Sequence, residues 1–178
     1  MACGVQVKAA GETLRLTEMI LEELTSEAEL TRKALECVPK GSGDWKPHPK
    51  SMTMGQLSQL VASMPSWISM MVSQDDLDVK QAGNGKVSVM ESAELVKALE
   101  KAVESARNTL SATTDQHLET SWKLLEGGKV VKEDTRSSFV KGLFKHLAHH
   151  RGQLTVYLRM NDAKVPAIYG PSADEHRF

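Results

Sequence analysis

Three histidines fall within five residues in the stretch FKHLAHHRGQLTVYL, residues 144–158. If this stretch is helical, His146 and His150 stand one above the other on the same side, close enough for two imidazoles to share a cation. His149, about 100° round the helix from His150, belongs to the same region or to the solvent face. Phe144, Leu147 and Leu154 neighbour the pair, which makes one edge of such a site apolar. Neutral imidazole suits zinc, nickel, iron or copper, and residue types alone do not choose among them. The spacing equally fits two half-buried histidines that bond to their surroundings. It does not fit the HExxH of metalloproteases, because Leu147 stands where the glutamate base would be. A serine-centred elbow, a phosphate loop and a paired-cysteine motif are all absent from the sequence, and Cys37 has no flanking base to activate it.

Composition limits what this helix can belong to. The chain has 178 residues, enough to bury a core as a single domain over 1–178 without staples. Its 22 basic and 23 acidic side chains give no electrostatic case for nucleic acid or an anionic membrane. No run of about 18 apolar residues exists, and the start, MACGVQVKAAGE, lacks the apolar centre of a signal peptide. Cys3 and Cys37 form no disulfide framework, so the expected location is a reducing cytoplasm. Aromatics are 4% of the chain against nine methionines, which predicts an aliphatic and thioether core.

Helical periodicity recurs in four places. From Thr13 to Cys37, Leu16, Met19, Ile20, Leu24, Ala28, Thr31 and Leu35 repeat at steps of three and four, and Pro39 with Gly41 ends the run. The loop GSGDWKPHPKS follows, packed down by Trp45. Thr53 caps a second helix with a stripe of Leu57, Leu60, Val61, Met64, Ile68 and Met71, bent at Pro65. A loop around QAGNGK leads to a third helix, capped by Ser92 or by a Ser88–Glu91 box, with Leu95, Val96, Leu99, Ala102, Val103, Ala106 and Leu110 on one face. Residues 121–131, SWKLLEGGKVV, read as a small hairpin about Gly–Gly. Asp134 or Thr135 begins the last helix, which runs to Asn161 and packs through Phe139, Val140, Leu143, Phe144, Leu147, Leu154, Tyr157 and Leu158. Four helices with one apolar face each bury those faces most simply as an all-α four-helix bundle, here with a hairpin before the last helix.

The segments HLAHHRGQLTVYLRMNDAKVPAIYGPSADE and TRKALECVPKGSGDWKPHPKSMTMGQLSQLV resemble the DinB-like family, over nearly the whole chain. The most specific parts are HHRGQ, VPAIYGPSAD and WKPHPKSM. The family's name refers to DNA damage, but the resemblance implies no DNA chemistry. It implies an up-down-down-up four-helix bundle, often a homodimer, with a divalent metal such as zinc or nickel held by three histidines. Two match His146 and His150. The third belongs to a Gly-x-Leu-x-x-His-hydrophobic-Ala pattern, which here reads GQLSQLVA, so Leu60 occupies the histidine's place. Characterised relatives are thiol-dependent S-transferases, in which a metal holds a low-molecular-weight thiol as thiolate.

Leucine cannot coordinate, so a metal in this chain needs another donor or is held weakly. Gln56, Gln59 and Gln153 are the nearby amides, while His48 and His117 sit in flanking loops. Arg151 and Arg159 could hold a cofactor carboxylate, or be solvated or form an ion pair at a dimer interface. Trp45 and Trp67 anchor their segments or line a pocket, and Tyr169 packs the tail across the bundle. Two functions stand: a metal-assisted thiol transferase or hydrolase using His146 and His150, and a small-molecule-binding or dimeric interaction protein that has lost tight metal binding.

Overall fold

The computed structural model describes residues 15–81 and 90–176. The N-terminal stretch with Cys3, most of the QAGNGK loop and Ser88 of the alternative capping box lie outside the described residues. Among those residues there are six helices and three short strands: α1 (Leu16–Glu36), α2 (Met54–Ser63), α3 (Ser66–Ser73), β1 (Asp76–Asp78), α4 (Ser92–Ser111), α5 (Asp115–Leu118), β2 (Ser121–Glu126), β3 (Lys129–Thr135) and α6 (Arg136–Met160). The fold is mostly helical, and the expected count of four helices is corrected by two features. Pro65 divides the expected second helix into α2 and α3, because its nitrogen has no proton to continue the ladder and it sits as the cap of α3. The Thr114 side chain starts the extra single turn of α5 by accepting a bond from the His117 N–H.

The ends of the long helices are closed by specific groups. The Asp115 carboxylate accepts bonds from the Leu16 and Thr17 N–H groups at 2.9 and 3.0 Å, satisfying two orphan donors of α1 from 98 and 99 residues away. Thr53 and Gln56 form a reciprocal capping box at the start of α2, at 3.2 and 2.8 Å. At α4 the cap is Glu91, not Ser92, with Glu94 returning a bond to the Glu91 N–H. Thr135 caps α6 through the Ser138 N–H.

The expected hairpin is present as β2 and β3, turning at Gly127 and Gly128, whose φ values of 59° and 77° only glycine adopts cheaply. Strand β1, which periodicity did not announce, pairs in parallel with β2. The Asp78 carboxylate on β1 accepts bonds from both turn glycines at 2.9 and 2.7 Å and so fixes the hairpin tip. Trp122 of β2 is buried edge-on against Phe139 of α6, with ring centres 4.5 Å apart, and ties the sheet to the bundle. One continuous core then runs from Ile20 and Leu24 of α1 through Leu57, Val61 and Ile68 to Leu99, Leu147 and Leu158. It is aliphatic and methionine-containing, as the composition implied. No helix among the described residues is long and apolar enough to cross a membrane.

Candidate functional site

Helix α6 carries two polar centres, one beside its buried stripe and one within it. At the first, His146 and His150 meet directly, with their Nε2 atoms 2.8 Å apart and ring centres 4.6 Å apart. The Nδ1 of His150 lies 2.8 Å from the Gln153 Oε1. An amide oxygen can only accept, so this contact places the proton of neutral His150 on Nδ1 and leaves its Nε2 lone pair facing His146. His149 packs edge-on against His150 at 5.1 Å but is exposed. Trp67 of α3 stands 6.0 Å from the His146 ring, so it lines the site as well as anchoring its helix. Partial burial lowers the His146 pKa below the usual imidazole value, and the neighbouring charges of His150 and His149 push it the same way. The neutral, ligating form is therefore favoured.

The residue at the expected third-ligand position is apolar. Leu60 is half-buried and packed against the core. Of the candidate replacements, the Gln56 side chain is committed to the α2 capping box. His48 is exposed and its Nδ1 accepts a bond from the Lys50 N–H at 3.2 Å. His117 is held by a 2.8 Å contact between its Nε2 and the Val72 carbonyl, which braces α5 against α3. Gln153 is present at the pair, acting on His150 from the side away from His146. Among the described residues no group of three or more histidine, cysteine or acidic side chains could hold a metal ion. The donors present fit two coordination positions of a divalent ion and do not fit a closed protein triad.

A second polar centre is buried, and its acidic member was missed by reasoning from periodicity. Arg151 is 1% exposed, so it is neither a solvated side chain nor a free arm for a cofactor. Its guanidinium donates to the Glu27 carboxylate at 2.7 Å, to the Glu27 carbonyl at 3.1 Å, to the Thr31 hydroxyl at 3.0 Å, and to the Tyr169 hydroxyl. The Tyr169 hydroxyl in turn donates to both oxygens of Glu27, at 2.8 and 2.9 Å. Burial, then the bond to the Glu27 carboxylate, raises the Tyr169 pKa and keeps the phenol protonated as that donor. The signal for Glu27 was present: it stands on the apolar stripe between Leu24 and Thr31, where an acid needs a buried partner.

The remaining candidates have structural duties. Arg159 pairs with Asp174 at 2.6 Å, and the same carboxylate accepts the Val165 N–H, folding the tail onto α6. Trp45 packs edge-on against Tyr157 at 5.3 Å and anchors its loop, as expected. Burial pushes the Cys37 thiol pKa up, which leaves it an unreactive thiol.

Solved structures share this fold. A DinB-like protein, YjoA, of Bacillus subtilis superposes with a TM-score of 0.65 at 18% identity, covering 89% of this chain and 99% of that one. A DinB-like protein of Bacillus cereus gives 0.67 at 22% identity, covering 84% and 95%. The YrdA protein of Bacillus subtilis, whose name describes it as uncharacterized, is 47% identical over 38 residues, 21% of this chain. That match spans only 23% of the length of YrdA. The sequence model of the DinB family matches residues 11–177, which takes in the histidine pair, the GQLSQLVA stretch and the tail, and the chain belongs to the DinB family.

Proposed function

We propose that this chain is a small-molecule-binding member of the DinB family in which His146 and His150 form a two-imidazole anchor that takes a divalent cation, zinc or nickel, weakly and exchangeably. The observation that carries this reading is the convergence of the two Nε2 atoms, with Gln153 setting the tautomer of His150, in a chain that has leucine at the sequence position where the family resemblance expects a third histidine. In the free pair the His146 Nε2–H donates to the His150 Nε2 lone pair, and displacement of that one proton by a cation leaves two lone pairs at one point, edged by Trp67. Removing a group that merely orients a ligand commonly costs 10–100-fold in metal affinity, so lacking a coordinating imidazole costs at least about that much.

Metal content of tag-free protein, with His146→Ala as control, tests the reading. The expected result is metal that dialysis removes and that rebinds weakly in wild type but not in the variant. Leu60→His should raise zinc or nickel affinity tenfold or more, because a preplaced third imidazole needs little reorganisation. Unchanged affinity in that variant would show that position 60 does not face the pair.

A second reading, a metal-assisted thiol transferase or hydrolase, is favoured by the way Gln153 orients His150 for ligation. A cation at the pair would lower the pKa of a small thiol and hold its sulfur there. Near-stoichiometric metal that survives dialysis and vanishes in His146→Ala would favour this reading over the first. A homodimer is part of the proposal, with Val156 and Met160, one turn apart on α6 and more than half exposed, as the apolar surface that offers itself. Light scattering that finds only monomer would remove it.

A further inference from the structure

An open groove of about 410 Å³ runs between α1 and α6. Its α6 wall is formed by Lys141, Phe144, Lys145 and Ala148. On the helix this face lies about 160° from the one bearing His146, His150 and Gln153. The groove is thus separate from the histidine pair, with the buried stripe of α6 between them.

Its floor is apolar. Met19 and Ile20 of α1 face Phe144, and the Tyr169 ring lies at the end where the tail crosses. Met19 is 52% exposed and Tyr169 63%, so apolar surface is turned to solvent here. The volume lies in the range of small-molecule sites, which pair apolar walls with a few polar groups.

The charges along the rim select among ligands. Lys141 and Lys145 stand one turn apart on α6, both exposed and neither in an ion pair with a described residue. Glu23 and Glu27 line the opposite wall, but Glu27 is neutralised by Arg151 at 2.7 Å and takes the Tyr169 hydroxyl as well. Two lysines therefore face one uncompensated acid, and the rim carries an excess of one positive charge.

We propose that this groove binds a small amphipathic monocarboxylate, its acyl or aryl part lying on Met19, Ile20 and Phe144 and its carboxylate held by Lys141 and Lys145. The wall from Lys141 to Ala148 is about 10 Å long, which suits a chain of medium length. This goes beyond the histidine site and does not depend on it.

Isothermal titration calorimetry with octanoate, 1-octanol and octylamine tests the assignment on the full chain. Octanoate should bind at least tenfold more tightly than either the alcohol or the amine. Lys141→Glu with Lys145→Glu should abolish that preference, and Met19→Asp should weaken octanoate tenfold or more. All three side chains are largely solvent-facing, so the variants should fold, which circular dichroism checks. His146→Ala with His150→Ala should bind octanoate as wild type does, which separates this site from the histidine pair. Equal binding of the three ligands, preference for the amine, or no binding would each overturn the proposal. So would a dimer that Met19→Asp dissociates and octanoate does not, because the groove would then be covered by a second copy.

Discussion

At the scale of single residues, the two polar centres of α6 make opposite demands. The histidine pair is open, and its chemistry depends on protonation. Because the His146 pKa is lowered, the unfolded chain binds more protons than the native one between the folded value and about 6.5, the ordinary histidine value. Stability contributed by this residue therefore rises with pH across that window and is lost on acidification. An NMR titration should place His146 below 6.5, and His150→Ala should move it upward by removing one like charge. A shift downward would contradict the assigned cause. The Arg151–Glu27 pair is buried, with Tyr169 covering it from the groove side, so the loss of either charge leaves the other unpaired in the core. Glu27→Ala would leave a guanidinium uncompensated in the core, and about 3–5 kcal/mol of unfolding free energy should disappear in urea titration. A loss below about 1 kcal/mol would mean that water or another carboxylate reaches Arg151.

Among the elements, α1 depends on a residue far along the chain. The bonds from Leu16 and Thr17 hold the Asp115 carboxylate below its usual pKa. Its contribution is accordingly complete above the ordinary aspartate value near 3.9 and fades as pH falls through the lower folded value. Asp115→Asn should reduce stability at neutral pH and flatten part of the acid limb, read from urea midpoints across pH. An unchanged acid limb would assign that limb to other carboxylates. The elements show where sequence reasoning reached and where it stopped. The apolar stripes of α1, α4 and α6 were legible because each repeats over several turns, and the hairpin was legible because Gly127 and Gly128 mark its turn. Strand β1 was not legible, because three residues, Asp-Leu-Asp, carry no period and form a strand only when β2 is beside them. The split at Pro65 was visible as a disturbance, while its size depended on packing. The meeting of His146 and His150 followed from helix geometry, and Trp67 beside them did not, since it comes from another helix.

The whole molecule is a helical core with a sheet at one side and a tail that returns across α1 and α6. Ending the chain after Ala163 would remove Tyr169 and its two bonds to Glu27 while leaving α6 intact. The far-ultraviolet dichroism should stay helical, with unfolding free energy lower by at least about 1.5–3 kcal/mol, the range for hydrogen bonds to a charged group. Unchanged stability would reduce the tail to a covering. The long reach of these contacts also orders events in time. Glu27 is made early, its counterion Arg151 comes 124 residues later and the Tyr169 hydroxyl 142 residues later. Asp115, which completes the start of α1, follows it by 99. During synthesis the first helix therefore emerges with an acid on its apolar stripe and an unfinished end; the end waits for Asp115, and the acid waits for Arg151 and Tyr169, when nearly the whole chain has been made. Loop closure over such distances slows folding. Until then Glu27 has no counterion, and the cost of burying an unpaired carboxylate opposes packing of that stripe against any helix that does not bring one.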